Sequence, residues 1–151
     1  MIVSSSANRV LVLNGPNLGR LGSREPDIYG SGTLDDLRTT LEAGAGALTI
    51  DLRQTDDEAQ LIHWLHEAVD TETPVILNPA AFTHYSYALS DAAKLVTSAG
   101  IILVEVHLSN PHAREEFRHT NVISAVATGV IAGFGFESYA LALDLVKRRL
   151  A

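Results

Sequence analysis

The sequence predicts an α/β domain: one five-stranded parallel sheet with helices on both faces. Three observations lead there. Five short stretches rich in Val, Ile and Leu alternate with four segments of helical period. The strand-like stretches are continuous apolar runs, as expected of strands covered on both sides. The chain has 151 residues, 46% hydrophobic and 19% charged, enough for one compact core of ordinary globular balance.

The first strand is expected over Arg9–Asn14 (RVLVLN), followed by a loop over residues 14–30 with four glycines and two prolines. Thr33 and Asp36 stand at capping-box spacing, and a helix is expected from Thr33 to about Ala43. The second strand is placed at Leu48–Gln54. Thr55 and Glu58 repeat the capping signal before a helix carrying Leu61, Trp64, Leu65 and Ala68 on one face, with Trp64 read as core. Pro74–Asn78 is the third strand. A helix over about Ser86–Ser98 stops at Gly100, with Thr83 as a candidate cap. Ile101–His107 is the fourth strand. The stretch from Val122 to Phe136 is nearly uncharged, but it is shorter than the ~20 residues a membrane helix needs. Gly129, Gly133 and Gly135 interrupt it, so it reads as a loop and a buried strand, Thr128–Phe134. The last helix, about Glu137–Leu150, carries Tyr139, Leu143, Val146 and Leu150 as its core stripe. Five βα units without a linker or repeat suggest a flavodoxin-like strand order and one catalytic domain over residues 1–151.

Composition excludes several functions. A net charge of −7 and a pI near 5.2 argue against nucleic-acid binding. The absence of cysteine rules out disulfides, thiolate metal sites and Cys nucleophiles, and it fits a cytoplasmic protein. The two lysines, Lys94 and Lys147, lie in helical segments away from the polar loops, which leaves no candidate for a Schiff base. MIVSSSANR has neither a charged start nor a long apolar run, so no signal peptide is expected, and no membrane partner.

The segment IILVEVHLSNPHAREEFR, residues 101–118, is the most informative about chemistry. Residues two apart in a strand share a face, so Glu105 and His107 should sit side by side at the strand's carboxyl end. A carboxylate fixes the tautomer of a neighbouring imidazole. Arg114 and Arg118 are spaced i, i+4, which predicts one face of a short helix. An oriented His facing two arginines suits proton transfer on an anionic substrate, although Glu and Arg also form purely structural networks. Polar clusters also fill the loop after the first strand (Asn17, Arg20, Arg24, Tyr29) and that after the third (Asn78, His84). In a parallel α/β sheet, loops after the first, third and fourth strands converge on one cleft. Tyr29 reads either as a packed loop aromatic or as a base whose phenol Arg24 and Arg114 acidify. On its own the Asn78–His84 loop reads first as a helix N-terminus with a capping His, and only second as a donor/acceptor pair for a ligand.

Other motifs are weaker. The glycine spacing of the first loop matches neither a P-loop nor a dinucleotide fingerprint. At ~15 residues the loop is long enough to suggest a lid. His63 and His66 with Glu67 lack a third ligand, so no metal is expected. A flavodoxin-like nucleotide- or flavin-binding module is the alternative function; it accounts for the fold and the long loops but not for Glu105, His107 and the arginines.

NGPNLGRLGSREPDIYG, QTDDEAQLIHWLHEA, ILNPAAFTHYS and VEVHLSNPHAREEFRH together resemble the type II 3-dehydroquinate dehydratases in order and spacing, over nearly the whole chain. The resemblance implies a cofactor-free and metal-free lyase of the shikimate pathway, acting on 3-dehydroquinate, with a flavodoxin-like fold and assembly as a dodecamer built from trimers. By the same resemblance, Tyr29 takes the proton at C2 and Arg24 holds it as phenolate, with Arg114 as the second arginine. Asn17 holds a water on the enolate oxygen. His107 protonates the departing hydroxyl, with Glu105 orienting it. Asn78, His84 and Arg118 bind ring hydroxyls, the backbone at Leu108 and Ser109 binds the carboxylate, and Asp91 reaches in from a neighbouring subunit. The family's Pro-Gly-Ala step reads Pro79-Ala80-Ala81 here, which demands a backbone angle that a Cβ accepts.

Overall fold

A computed structural model describes residues 8–23, 25–29 and 31–150, with the side chains of Pro26 and Tyr29 outside that description. Five parallel strands form one sheet: β1 (Arg9–Asn14), β2 (Thr49–Gln54), β3 (Val75–Asn78), β4 (Leu103–His107) and β5 (Gly129–Ala132). Their order is β2-β1-β3-β4-β5, the flavodoxin-like arrangement, with the chain reversing its direction of progress between β1 and β3. In register, Asn14 of β1 lies beside Asn78 of β3, which puts two asparagines side by side where the first and third loops leave the sheet.

Alternate residues of the central strands feed two cores. Val10, Val12, Ile76, Val104 and Val106 pack under α2 (Leu34–Gly44) and α5 (Phe136–Leu150). Leu11, Leu13, Val75, Leu77 and Leu103 pack under α3 (Glu58–Thr71) and α4 (Tyr87–Ser98). Full burial of each such side chain contributes about 1.5–3 kcal/mol, so the three central strands form a stiff base for the loops at their carboxyl ends. The continuous apolar pattern holds for β1, β3 and β4. β5 is instead a half-exposed edge strand, with Val130 46% exposed, and is shorter than Thr128–Phe134. Leu150 is 46% exposed, so the stripe of α5 ends at Val146.

Thr33 and Asp36 form the expected capping box on α2, each side chain accepting from the other's backbone N–H. Two other caps differ from expectation. Asp57, not Thr55, caps α3 by accepting from Ala59 N–H at 3.0 Å; the Thr55 hydroxyl accepts from Asp57 N–H in the preceding turn. Ser86, not Thr83, caps α4, because Thr83 lies in a 3-10 turn over Ala80–His84 one step too early. Trp64 is half-buried rather than core: α3 carries it to the β2 edge, where Arg53 lies 5.5 Å over its ring. Arg53 and Arg9 bridge Asp51 and Glu67 on the same edge.

Candidate active site

The site begins at the carboxyl end of β4. Glu105 is fully buried and His107 is 8% exposed, side by side on one face. His107 Nε2–H donates to Glu105 Oε2 at 2.5 Å, which leaves Nδ1 as the ring nitrogen not engaged by Glu105. Asn121 Nδ2 donates to the same oxygen at 2.8 Å, and the Ser124 hydroxyl donates to Oε1 at 2.6 Å. Burial pushes the Glu105 carboxyl up, but the His107 hydrogen bond and charge, Ser124 and Asn121 outweigh it and hold it below the ordinary carboxylate value. Glu105 is therefore an ionised, fully ligated carboxylate that orients His107. Asn121 and Ser124 carried no sequence signal, because they come from the loop before β5, 16 and 19 residues beyond Glu105. Asn121 Oδ1 fixes that loop by accepting from the Ile123 and Ser124 N–H groups.

The segment after β4 corrects one expectation. It forms no helix carrying Arg114 and Arg118 on one face. Pro111–Ala113 and Glu116–His119 are separate 3-10 turns, and Arg114 between them is extended (φ −120°, ψ −162°). Asn110 and Pro111 set the first turn, Asn110 Oδ1 accepting from His112 N–H at 3.1 Å. Both arginines nonetheless line the same cleft. Arg114 donates to the Ser109 hydroxyl at 3.2 Å, and Arg118 Nε donates to Glu115 at 2.9 Å while its guanidinium lies 4.7 Å over the ring of Phe117.

The loop after β3 supplies the opposite wall. Asn78 Oδ1 accepts from Ala80 N–H at 3.0 Å in an Asx turn, and Ala80 takes a left-handed φ of +52°. The Cβ-bearing residue is thus held where glycine is the usual occupant. His84 Nδ1 lies 2.7 Å from the Thr120 carbonyl, which only accepts, so Nδ1 carries the proton. Burial, with Arg118 and His107 nearby, holds the His84 imidazole below its usual value against the pull of that carbonyl. His84 is a neutral ring with Nε2 as acceptor.

Together Asn78, Ala80, His84, His107, Leu108, Ser109, Arg114 and Arg118 line one cleft, which Leu18 also borders. A neighbouring groove shares Leu108, Ser109 and Arg114 and reaches Ile28 of the one-turn helix α1 (Pro26–Tyr29) and Phe136. The long first loop therefore contains regular turns, at Leu18–Arg20 and α1. Gly15 has to be glycine for contact: a Cβ there would stand 2.6 Å from the Pro79 carbonyl.

Arg24 and the side chain of Tyr29 are outside the described residues. Asn17 is exposed at φ +69°, its N–H donating to Asp56 at 2.8 Å, and it borders a separate depression with Gly19 and Arg20. Asp91 is exposed on α4, away from this chain's own cleft. No group of three or more His, Cys, Asp or Glu among the described residues is arranged to hold a metal; the rings of His63 and His66 lie 6.0 Å apart.

The profile of the family Dehydroquinase class II matches residues 8–147. The chain belongs to that family. It is 57% identical over 146 residues to the 3-dehydroquinate dehydratase of Salinispora tropica, covering 93% of this chain and 98% of the relative. It is 52% identical to the 3-dehydroquinate dehydratase of Mycobacterium avium, covering 94% and 99%. The crystal structure of the type II dehydroquinase of Propionibacterium acnes superposes with a TM-score of 0.88 at 50% identity, over 93% of this chain and 97% of that one. The class II dehydroquinases thus account for fold and length together, and the comparisons give no support to a nucleotide- or flavin-binding module.

Proposed function

We propose that this chain is a 3-dehydroquinate dehydratase, a hydro-lyase that removes water across C1 and C2 of its substrate by anti elimination through an enolate. The observation that carries it is the ionised Glu105 holding His107 at the edge of a cleft lined by Arg114, Arg118, His84 and Asn78, in a chain that matches the class II dehydroquinases over residues 8–147.

Elimination β to a ketone needs a base, a means of holding the enolate and an acid. Tyr29, as phenolate beside Arg24 and Arg114, takes the C2 proton. The electron pair moves onto the C3 ketone oxygen, where a water held by Asn17 stabilises the enolate. The enolate collapses to the conjugated enone as the C1 hydroxyl leaves with a proton from His107. Tyr29 gains one proton, His107 loses one, and one water is released. The backbone N–H groups of Leu108 and Ser109 receive the carboxylate. His84 Nε2 accepts from a ring hydroxyl, while Arg118 and Asn78 hold the others. No cofactor or metal enters the reaction.

The same proposal extends to a single catalytic domain over residues 1–151 working in the shikimate pathway in the cytoplasm. It also includes assembly into a dodecamer of trimers. Asp91 supports the assembly: it stands with Tyr87 (74% exposed) and Leu95 (53% exposed) on one outward stripe of α4, which would bring its carboxylate to a neighbour's cleft. No helix among the described residues is long and apolar enough to cross a membrane.

Mixing the purified protein with 3-dehydroquinate and following the ultraviolet absorbance of the enone tests the proposal. Turnover that is lost in His107→Ala is expected. No absorbance change with the unmodified protein would overturn it.

A further inference from the structure

The amide of Asn78 is oriented from behind the sheet. Asn78 Nδ2 donates to the hydroxyl of Tyr139 at 2.8 Å, and Tyr139 Oη donates in turn to Asn14 Oδ1 at 2.6 Å. Asn14 Nδ2 donates to the carbonyls of Val12 (3.3 Å) and Arg53 (3.0 Å). Backbone groups fix the sense of this chain at both ends. Ala80 N–H only donates, so the atom facing it is the Asn78 oxygen; two carbonyls only accept, so the atom facing them is the Asn14 nitrogen. Between them only one direction is possible, and Tyr139 must accept from Asn78 and donate to Asn14. Tyr139 is fully buried, which pushes its phenol far above the ordinary value and keeps it neutral in both roles. It does not line the cleft.

We propose that Tyr139 is a positioning residue for the dehydratase reaction: its hydroxyl determines which way round Asn78 presents its amide to substrate, leaving one N–H and one oxygen lone pair free for the cleft. This rests on Asn78 being a substrate contact. Without the hydroxyl, Asn78 Nδ2 has a neighbouring acceptor in Asn14 Oδ1, its register partner across β1 and β3. The amide is drawn toward Asn14 and away from the cleft.

The test is a double-mutant cycle on kcat/KM with Tyr139→Phe and Asn78→Ala, beside Leu143→Ala as a core change one turn along α5. Tyr139→Phe is expected to lose about tenfold in kcat/KM, the scale of one neutral hydrogen bond. Leu143→Ala should lower Tm while leaving kcat/KM within about twofold. The double variant should be no worse than Asn78→Ala alone, because Tyr139 acts only through Asn78. Full kcat/KM in Tyr139→Phe, or losses that multiply in the double variant, would overturn the proposal. If Asn78→Ala itself kept full kcat/KM, the substrate contact assigned to Asn78 would be wrong, and the proposal with it. Should Tyr139→Phe not fold, side-chain amide exchange in the unmodified protein decides. Protection of the Asn78 Nδ2 protons comparable to core backbone amides supports the chain of bonds; exchange as fast as that of an exposed asparagine overturns it.

Discussion

Removing the Ser124 hydroxyl should weaken the protein through a buried carboxylate oxygen, Glu105 Oε1, that no other described side chain serves. Glu105 is 0% exposed, and its three donors are His107 at 2.5 Å, Ser124 at 2.6 Å and Asn121 at 2.8 Å. Ser124 alone among the described side chains serves Oε1, and a hydrogen bond to a charged group contributes about 1.5–3 kcal/mol. Ser124→Ala should therefore cost about 2 kcal/mol near neutrality, or about 4–8 °C in Tm for a chain of this size. The cost is specific to the charge. The folded-state pKa of Glu105 is depressed, so its stabilising contribution is fully present above the ordinary carboxylate range and is lost as pH falls through the depressed value. Ser124→Ala removes one of the groups that depress it, so the penalty should be largest near neutrality and shrink toward acid. Glu105→Gln offers a second control, because the glutamine NH₂ can donate to the Ser124 oxygen without carrying charge. Denaturant melts of the four proteins in this cycle are the assay. In the Glu105→Gln background the Ser124→Ala penalty should fall below half. An equal penalty in both backgrounds, and at both ends of the pH range, would mean that Ser124 contributes through packing and that the Glu105 ligation is not what matters.

Ala80→Gly should hold or raise stability, since relief of an L-residue at φ +52° gains about 1 kcal/mol and the extra freedom of unfolded glycine returns about 0.4–1 of it; a fall in Tm of more than a few degrees would refute the strain. Tyr29→Phe should lose about 100- to 10,000-fold in kcat if its oxygen is the base, with ligand binding retained by equilibrium titration. Arg24→Ala should regain part of its activity at high pH, where an unassisted phenol near ~10 ionises, and a basic limb that does not move upward would separate Arg24 from Tyr29. Dialysis against EDTA should leave turnover unchanged, and restoration by zinc of an activity lost that way would rule out the metal-free route.

Features that depend on period and spacing could be read from the chain alone. The strand alternation at Glu105 and His107 needed only two residues and a pleat, and the capping box at Thr33 needed only four. The Arg114–Arg118 helix failed because i, i+4 spacing is a helix signal only where the backbone is free to wind. Here Asn110 and Pro111 start a tight turn, and the chain passes through Arg114 extended. The two arginines still reach one cleft because the turns on either side replace the helix as a way of bringing residues four apart to the same wall. Edges were also hidden: β5 has the composition of a buried strand, yet only its position at the end of the sheet decides that Val130 faces outward.

What the chain could not show is the layer behind the reacting groups. Asn14 looks like the last residue of an apolar strand, Tyr139 like one more position on a helical stripe, and Ser124 like a loop serine. Each takes its meaning from a partner far along the chain, 125 residues for Tyr139 and Asn14, 61 for Tyr139 and Asn78, and 19 for Ser124 and Glu105. Burial explains why such partners are needed. A carboxylate or an amide at the end of a fully covered strand loses its water, and each unsatisfied group would cost about 1–3 kcal/mol. The apolar sheet that positions Glu105 and Asn78 therefore also obliges the fold to supply Ser124, Asn121 and Tyr139. In this protein the residues that hold the chemistry in place follow from the dryness of the core as directly as the core follows from its valines and leucines.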